Sequence, residues 1–88
     1  ARNKLIQAKL KVQSDSIDFE AVKTQLSIAQ RQYDRVVTLN TEGLKAVTDV
    51  EEKRLKLQDA QAKIISQENK LLAAKNEVIN AEVELTRI

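Results

Sequence analysis

The chain has 88 residues with 15 basic and 13 acidic side chains, and it contains no Cys, His, Pro, Met or Trp. Without Cys and His there is no ligand set for zinc or haem and no Cys/His or Ser/His nucleophile pair, so we expect no metal, no cofactor and no enzyme. The longest apolar run, Leu71 to Ala74, is too short to span a bilayer. The abundance of Ala, Leu, Lys, Glu and Gln is typical of long helices and coiled coils.

The charge balance also bears on partners and on chain context. The net charge is only +2, and the basic first residues have no aromatic side chains among them for stacking on bases, so we expect no nucleic acid partner. The chain begins at Ala1 rather than Met, and we expect it to be a helical piece of a longer protein.

Apolar residues recur at alternating steps of four and three along both halves of the chain. We call these 25 positions the seam, and 21 of them are apolar against 42% of the whole chain. Such spacing is the a/d pattern of a coiled coil, which predicts two long helices. The seam positions are Ala1, Leu5, Ala8, Val12, Asp15, Phe19, Val22, Leu26, Ala29, Tyr33, Val36 and Asn40, then Ala46, Val50, Lys53, Leu57, Ala60, Ile64, Gln67, Leu71, Ala74, Val78, Ala81, Leu85 and Ile88.

The two halves of the seam mirror each other around one residue. If seam residues are paired so that their numbers add up to 86, every pair sets an a position against a d position, as in Leu26 with Ala60. The midpoint is Gly43, the only glycine and the residue best suited to a tight turn. The sequence therefore predicts an all-α antiparallel two-helix coiled-coil hairpin with helix 1 at about 1–40, a tip loop at about 41–47 and helix 2 at about 48–88.

Charged residues beside the seam agree with this register in part. One set of like-charged neighbours, Lys9 and Lys75, opposes it. Three cross-helix neighbours have opposite charges: Lys4 with Glu84, Lys11 with Glu77, and Asp18 with Lys70. Three seam positions are polar, and they either determine the register or extend their tips to water: Asp15, Lys53 and Gln67.

The ends of the helices carry recognisable signals. Asn40 and Gly43 suit the end of helix 1. The stretch from Thr48 to Glu51 matches a capping box, in which the Thr hydroxyl and the Glu carboxylate accept hydrogen bonds from the first free amides. The alternative is that helix 2 begins earlier and that Thr48 is simply exposed.

Many apolar residues lie off the seam on the outer sides of both helices. An isolated two-helix rod is expected to be charged there, so these residues predict lateral packing between hairpins. The alternative is scattered exposure, which is normal on any surface. We select six as lateral packing residues: Ile17, Ile28, Leu55, Ile65, Leu72 and Ile79. The carboxylates on these helices have no neighbours that suggest catalysis.

The residues around the turn resemble the hairpin tip of HlyD-type membrane fusion proteins, the periplasmic adaptors of bacterial secretion and efflux systems. The tip motif of that family is Arg, three residues, Leu, six residues and Ser. Arg35 and Leu39 match it, Gly43 stands where the family often has glycine, and Ala46 replaces the Ser. Thr48, two residues later, either substitutes for the Ser or only caps the helix.

The resemblance implies that the hairpin tip docks onto a TolC-like outer-membrane channel. It also implies an inner-membrane ABC or proton-driven transporter, reached through domains outside this chain, and several adaptors standing side by side as a homo-oligomer. The location would be the periplasm of a Gram-negative bacterium, with the full-length protein anchored to the inner membrane. The alternative function is a structural coiled-coil spacer with no role in transport.

The tip residues have chemically distinct roles in this interpretation. The guanidinium of Arg35 can form forked hydrogen bonds to carboxylates or carbonyls of a facing helix, and Leu39 can supply an apolar contact. Gly43 lets the turn close tightly so that another hairpin can approach. The alternative is that Arg35 is a solvated charge and that Leu39 covers the last core layer.

Overall fold

The computed structural model describes residues 2–87, which form two long helices joined by a short turn. Helix α1 spans Arg2–Thr41 and helix α2 spans Val47–Thr86, each 40 residues long. The two helices pack side by side into a rod with dimensions of 70 × 14 × 12 Å. The predicted all-α helical hairpin is confirmed. The two outermost seam positions, Ala1 and Ile88, lie outside the described residues.

An ion pair at the open end of the rod identifies the register. Lys4 Nζ donates to both carboxylate oxygens of Glu84, each at 3.2 Å, which confirms one of the three predicted cross-helix charge pairs. The other two are wrong as ion pairs within residues 2–87. Lys11 instead lies 4.0 Å from Asp15 of its own helix, because an exposed lysine reaches a carboxylate four residues away as easily as one on the neighbouring helix.

The burial pattern follows the seam. Every described seam position except Ala46 is buried or half-buried, and the only other half-buried positions in residues 2–87 are Ser16, Leu39 and Asp49. The fully buried residues are all on the seam: Ala8, Val22, Val36, Leu57, Ala60, Ala74 and Ala81. The core of this protein is therefore the single line of contact between α1 and α2.

Small and large side chains face each other along that line. In the register given above, Ala8 is level with Val78, Val12 with Ala74, and Leu26 with Ala60. A methyl opposite a larger aliphatic group lets two helices approach closely without leaving voids. This alternation explains why the cross-section measures only 14 × 12 Å between backbone positions.

The seam has one polar stretch, where Asp15 and Gln67 occupy neighbouring layers. Asp15 Oδ2 and Gln67 Oε1 are buried and accept no hydrogen bond from any described residue. Lys11 is within ion-pair distance of Asp15 but too far for a hydrogen bond. Because buried polar atoms lower stability when they are unpaired, this stretch contributes less to the hairpin than the layers on either side.

The end of α1 is a Schellman turn centred on the glycine. Leu44 N donates to Leu39 O at 2.8 Å, Gly43 N donates to Asn40 O at 3.0 Å, and Gly43 has a φ of 77°. The side chain of Asn40 extends the turn by donating to Lys45 O at 2.8 Å. The prediction that Asn40 and Gly43 end the first helix is confirmed.

The start of α2 differs from the prediction. Ala46, not Thr48, is the N-cap residue, and Asp49 Oδ2 accepts a hydrogen bond from Ala46 N at 3.3 Å. Thr48 is exposed within the first helical turn, so the capping box at Thr48 and Glu51 is wrong, and the alternative of an earlier start is correct. Ala46 is likewise exposed rather than part of the seam, because an N-cap residue has extended backbone, here with φ −77° and ψ 157°.

Replacing Gly43 with alanine should destabilise the hairpin by about 1–2 kcal/mol, since an L-residue with a Cβ is strained at positive φ. A Cβ built at this position meets nothing within 4 Å, so the loss is purely conformational. Gly43→Asn is the matched control and should lose less, because Asn tolerates the left-handed region. Urea unfolding followed by circular dichroism measures both, and equal stability of the alanine variant and the wild type would contradict the turn geometry.

Removing the acceptor at Asp49 tests the corrected start of α2. Asp49→Ala should cost about 1 kcal/mol, because it removes both a hydrogen bond to Ala46 N and a negative charge near the helix N-terminus. Thr48→Ala should change the free energy of unfolding by less than about 0.5 kcal/mol. The reverse order of the two effects would restore Thr48 as the cap.

A disulfide across the seam tests the register directly. Cysteines in place of Val22 and Ile64 should form an intrachain disulfide under mild oxidation, because these residues share one layer and the chain has no other cysteine. The control combines Val22→Cys with Ile65→Cys, where residue 65 is exposed on the outer side of α2. Gel mobility with and without reductant gives the result, and efficient closure of the control instead would mean a shifted register.

Candidate interaction surface at the hairpin tip

The tip, which we define as residues 35–48, is a stiff end to the rod rather than a loose loop. Only residues 42–46 lie between the helices, and backbone hydrogen bonds join Glu42, Gly43 and Leu44 back to α1. The Asn40 side chain also holds the carbonyl of Lys45. A surface held in this way can bind a partner without a large loss of conformational entropy on binding.

Arg35 is displayed on the outside of α1, close to this turn. It is exposed, and it forms no ion pair with any other residue in the described range 2–87. Its planar guanidinium therefore keeps its donors directed at solvent, where a carboxylate or a helix end of a partner could accept them.

Leu39 takes a position between the two interpretations made from the sequence. It is half-buried, and Asp49, the residue opposite it beside the seam, is half-buried as well. Part of the Leu39 side chain thus covers the last layer of the core, while the rest remains available on the surface. Gly43, Ala46 and Thr48, the other predicted tip residues, are all exposed.

The structure adds three apolar side chains to the tip that the sequence analysis did not select. Leu44 in the turn is 68% exposed, Val47 at the start of α2 is 60% exposed, and Val37 is 36% exposed. Leu44 directly follows the glycine, and this position carries an apolar residue in many Schellman turns, which is the signal that could have identified it. The tip therefore combines an unpaired guanidinium with apolar groups, a composition common in the centres of protein interfaces.

The six predicted lateral packing residues lie along the rod, away from the tip. All are exposed, from 42% for Ile28 to 66% for Leu55. The structure adds Ile6, Leu10 and Val83 to the exposed apolar side chains of the two helices. Within residues 2–87, neither helix has a segment long and apolar enough to cross a membrane.

Comparison with known proteins identifies no relative. No family model, no curated protein and no solved structure matches the chain. The functional interpretation therefore depends on the residues of the hairpin and on their geometry.

Proposed function

We propose that this chain is the helical hairpin of a HlyD-type periplasmic adaptor, which connects an inner-membrane ABC or proton-driven transporter to a TolC-like outer-membrane channel. The observation that carries the proposal is the stiff tip, where Arg35 without an ion-pair partner lies beside exposed apolar side chains. The full-length protein would be anchored to the inner membrane and would act in the periplasm as a homo-oligomer.

The shape of the hairpin supports a bridging role. A rod 70 Å long with both chain ends at one end and a closed turn at the other can project its tip far from the rest of a protein. The tip is the only end at which the backbone turns back, so it is the natural point of contact with a partner that meets the rod end-on.

The chemistry of the tip supports a helical partner. Arg35 can donate forked hydrogen bonds to a carboxylate or to the free carbonyls at the end of a facing helix. Leu44 and the exposed part of Leu39 can lose apolar surface to water-excluding contacts with that helix, at about 25 cal/mol per Å² buried. Both kinds of contact suit the helical hairpin ends of a TolC-like channel.

The position of Thr48 supports the same assignment. Its hydroxyl does not cap α2, because Asp49 accepts the amide hydrogen of Ala46, so it remains available on the surface. We assign to Thr48 the polar contact that the family motif places at the position of Ala46.

Arg35→Asp should reduce export through the outer-membrane channel at least tenfold when the substitution is made in the full-length adaptor. The reversed charge would repel the acceptors that Arg35 meets, and the free energy of unfolding should change by less than about 0.5 kcal/mol because the residue is exposed. The matched control is Arg54→Asp, the same charge change at an exposed position of α2 outside the tip.

Leu39→Ser and Leu44→Ser are expected to lower export as well, and they separate the two roles of the apolar tip. Leu44 is mostly exposed, so its replacement should leave the melting temperature unchanged. Loss of folding in the Leu39 variant alone would show that Leu39 only covers the core. Export at wild-type levels in the Arg35 and Leu44 variants would refute docking through the tip and leave the structural spacer as the function.

A further inference from the structure

The outer edges of the hairpin, defined as the heptad positions b, c and f that point away from the seam, are almost free of charge. On α2 none of the eleven edge positions between Ala62 and Thr86 is charged, although all are exposed. On the flanks beside the seam, seven of the eight positions between Gln61 and Glu84 are charged. A solvated rod has no reason to restrict charge to its flanks, so this distribution indicates that the α2 edge is covered.

The edge of α1 has the same character. Of its twelve edge positions between Asn3 and Ile28, only Glu20 is charged, and that carboxylate lies 3.4 Å from Lys23 of the same helix. The two uncharged edges are on opposite sides of the hairpin, since each faces away from the seam. A partner that covers both edges must therefore contact the hairpin from two sides.

The apolar residues of the two edges interdigitate when they are compared by level. In the observed register, residue n of α1 is level with residue 86 − n of α2, so Leu10 falls between the levels of Leu72 and Ile79. Ile17 likewise falls between Ile65 and Leu72. Each offset is three or four residues, about 5 Å along the helix, which is the spacing of knobs packed into holes.

The charges near the tip are complementary across the two edges. Arg31 on the α1 edge is level with Leu55, whose neighbours on the α2 edge are Glu52 and Asp59. Both carboxylates have only exposed lysine partners four residues away, at 3.9 and 3.7 Å, and Arg31 has none in residues 2–87. Arg35 is likewise level with Glu51.

One like-charge contact opposes this register, because Asp34 is level with Glu52. Asp34 accepts a hydrogen bond from Gln30 Nε2 at 3.0 Å. Two arginines against three carboxylates outweigh this single repulsion. Pairing α1 with α1 in the same direction would instead place arginine against arginine, and pairing α2 with α2 would place carboxylate against carboxylate.

We propose that a second copy of this chain, standing in the same direction and at the same level, packs its α2 edge against the α1 edge of the first. The contact is heterologous, so each copy uses one edge for each neighbour and the array continues until it closes into a ring. This inference specifies the partner and register of the lateral packing residues, and it does not depend on docking through the tip.

Cysteine crosslinking of the 88-residue chain tests the proposed register. Thr24 and Ala62 are level, exposed and on opposite edges, and the chain has no native cysteine. The variant Thr24→Cys with Ala62→Cys should give a ladder of disulfide-linked dimers, trimers and larger species at high protein concentration. The control is Thr24→Cys with Asn76→Cys, which is shifted by about 21 Å along the edge and should give at least tenfold less of the ladder.

Charge reversal on this crosslinking background tests the complementary edges. Arg31→Glu should slow formation of the ladder severalfold, and adding Glu52→Arg should restore it, whereas Arg54→Glu on a flank should have little effect. Absence of the ladder from a helical double-cysteine chain would overturn the proposal. So would dimers formed by Thr24→Cys alone as fast as by the pair, since those indicate a symmetric α1 contact.

A tip variant separates this inference from the proposed function. Leu44→Ser should leave the crosslinked ladder unchanged even where it abolishes export, because Leu44 lies in the turn and not on an edge. A ladder that forms normally in a chain whose tip variants export normally would retain the side-by-side array and reject docking through the tip.

Discussion

The whole hairpin depends on one line of contact between two helices, in which alanines face larger aliphatic residues. Because Ala8, Ala60 and Ala74 leave room for the residue opposite, the helices approach closely and each layer stays filled. A line of contact only one layer thick buries little apolar surface in each residue. The register must therefore be maintained along its full length, and the turn at Gly43 begins it at one end while Lys4 and Glu84 mark it at the other.

Polar residues have separate consequences at three places in this thin structure. On the seam, Asp15 and Gln67 weaken two neighbouring layers because their buried oxygens accept no hydrogen bond from the described residues. In the turn, Asn40 stiffens the tip because its amide holds the carbonyl of Lys45. On the flanks, charges keep two faces of the rod solvated, while the uncharged edges are left for neighbouring copies. The proposed end-on and lateral contacts thus use different residues and can be altered independently.

The seam period predicted the fold almost completely, and the reason is physical. A four–three alternation places apolar residues on one side of a helix wherever it occurs, and the single glycine allows only one point for the chain to reverse. The exposure of Arg35 and of the six lateral packing residues could be predicted in the same way, since they lie off the seam. The cap of α2 could not be predicted, because Thr48 and Asp49 both fit helix-start patterns and only the path of the turn distinguishes them.

By itself the sequence determined the two helices, their antiparallel register and the reversal at Gly43, since these follow from periodicity and from the conformational freedom of one residue. Tertiary structure alone decided how the turn closes: the Schellman hydrogen bonds and the Asn40 amide orient Lys45 and Ala46 so that α2 begins at Val47 and Asp49 accepts the free amide. It also decided that Leu39 is half-buried while Leu44 projects into solvent. These outcomes depend on backbone direction over a few residues, which composition and spacing do not encode.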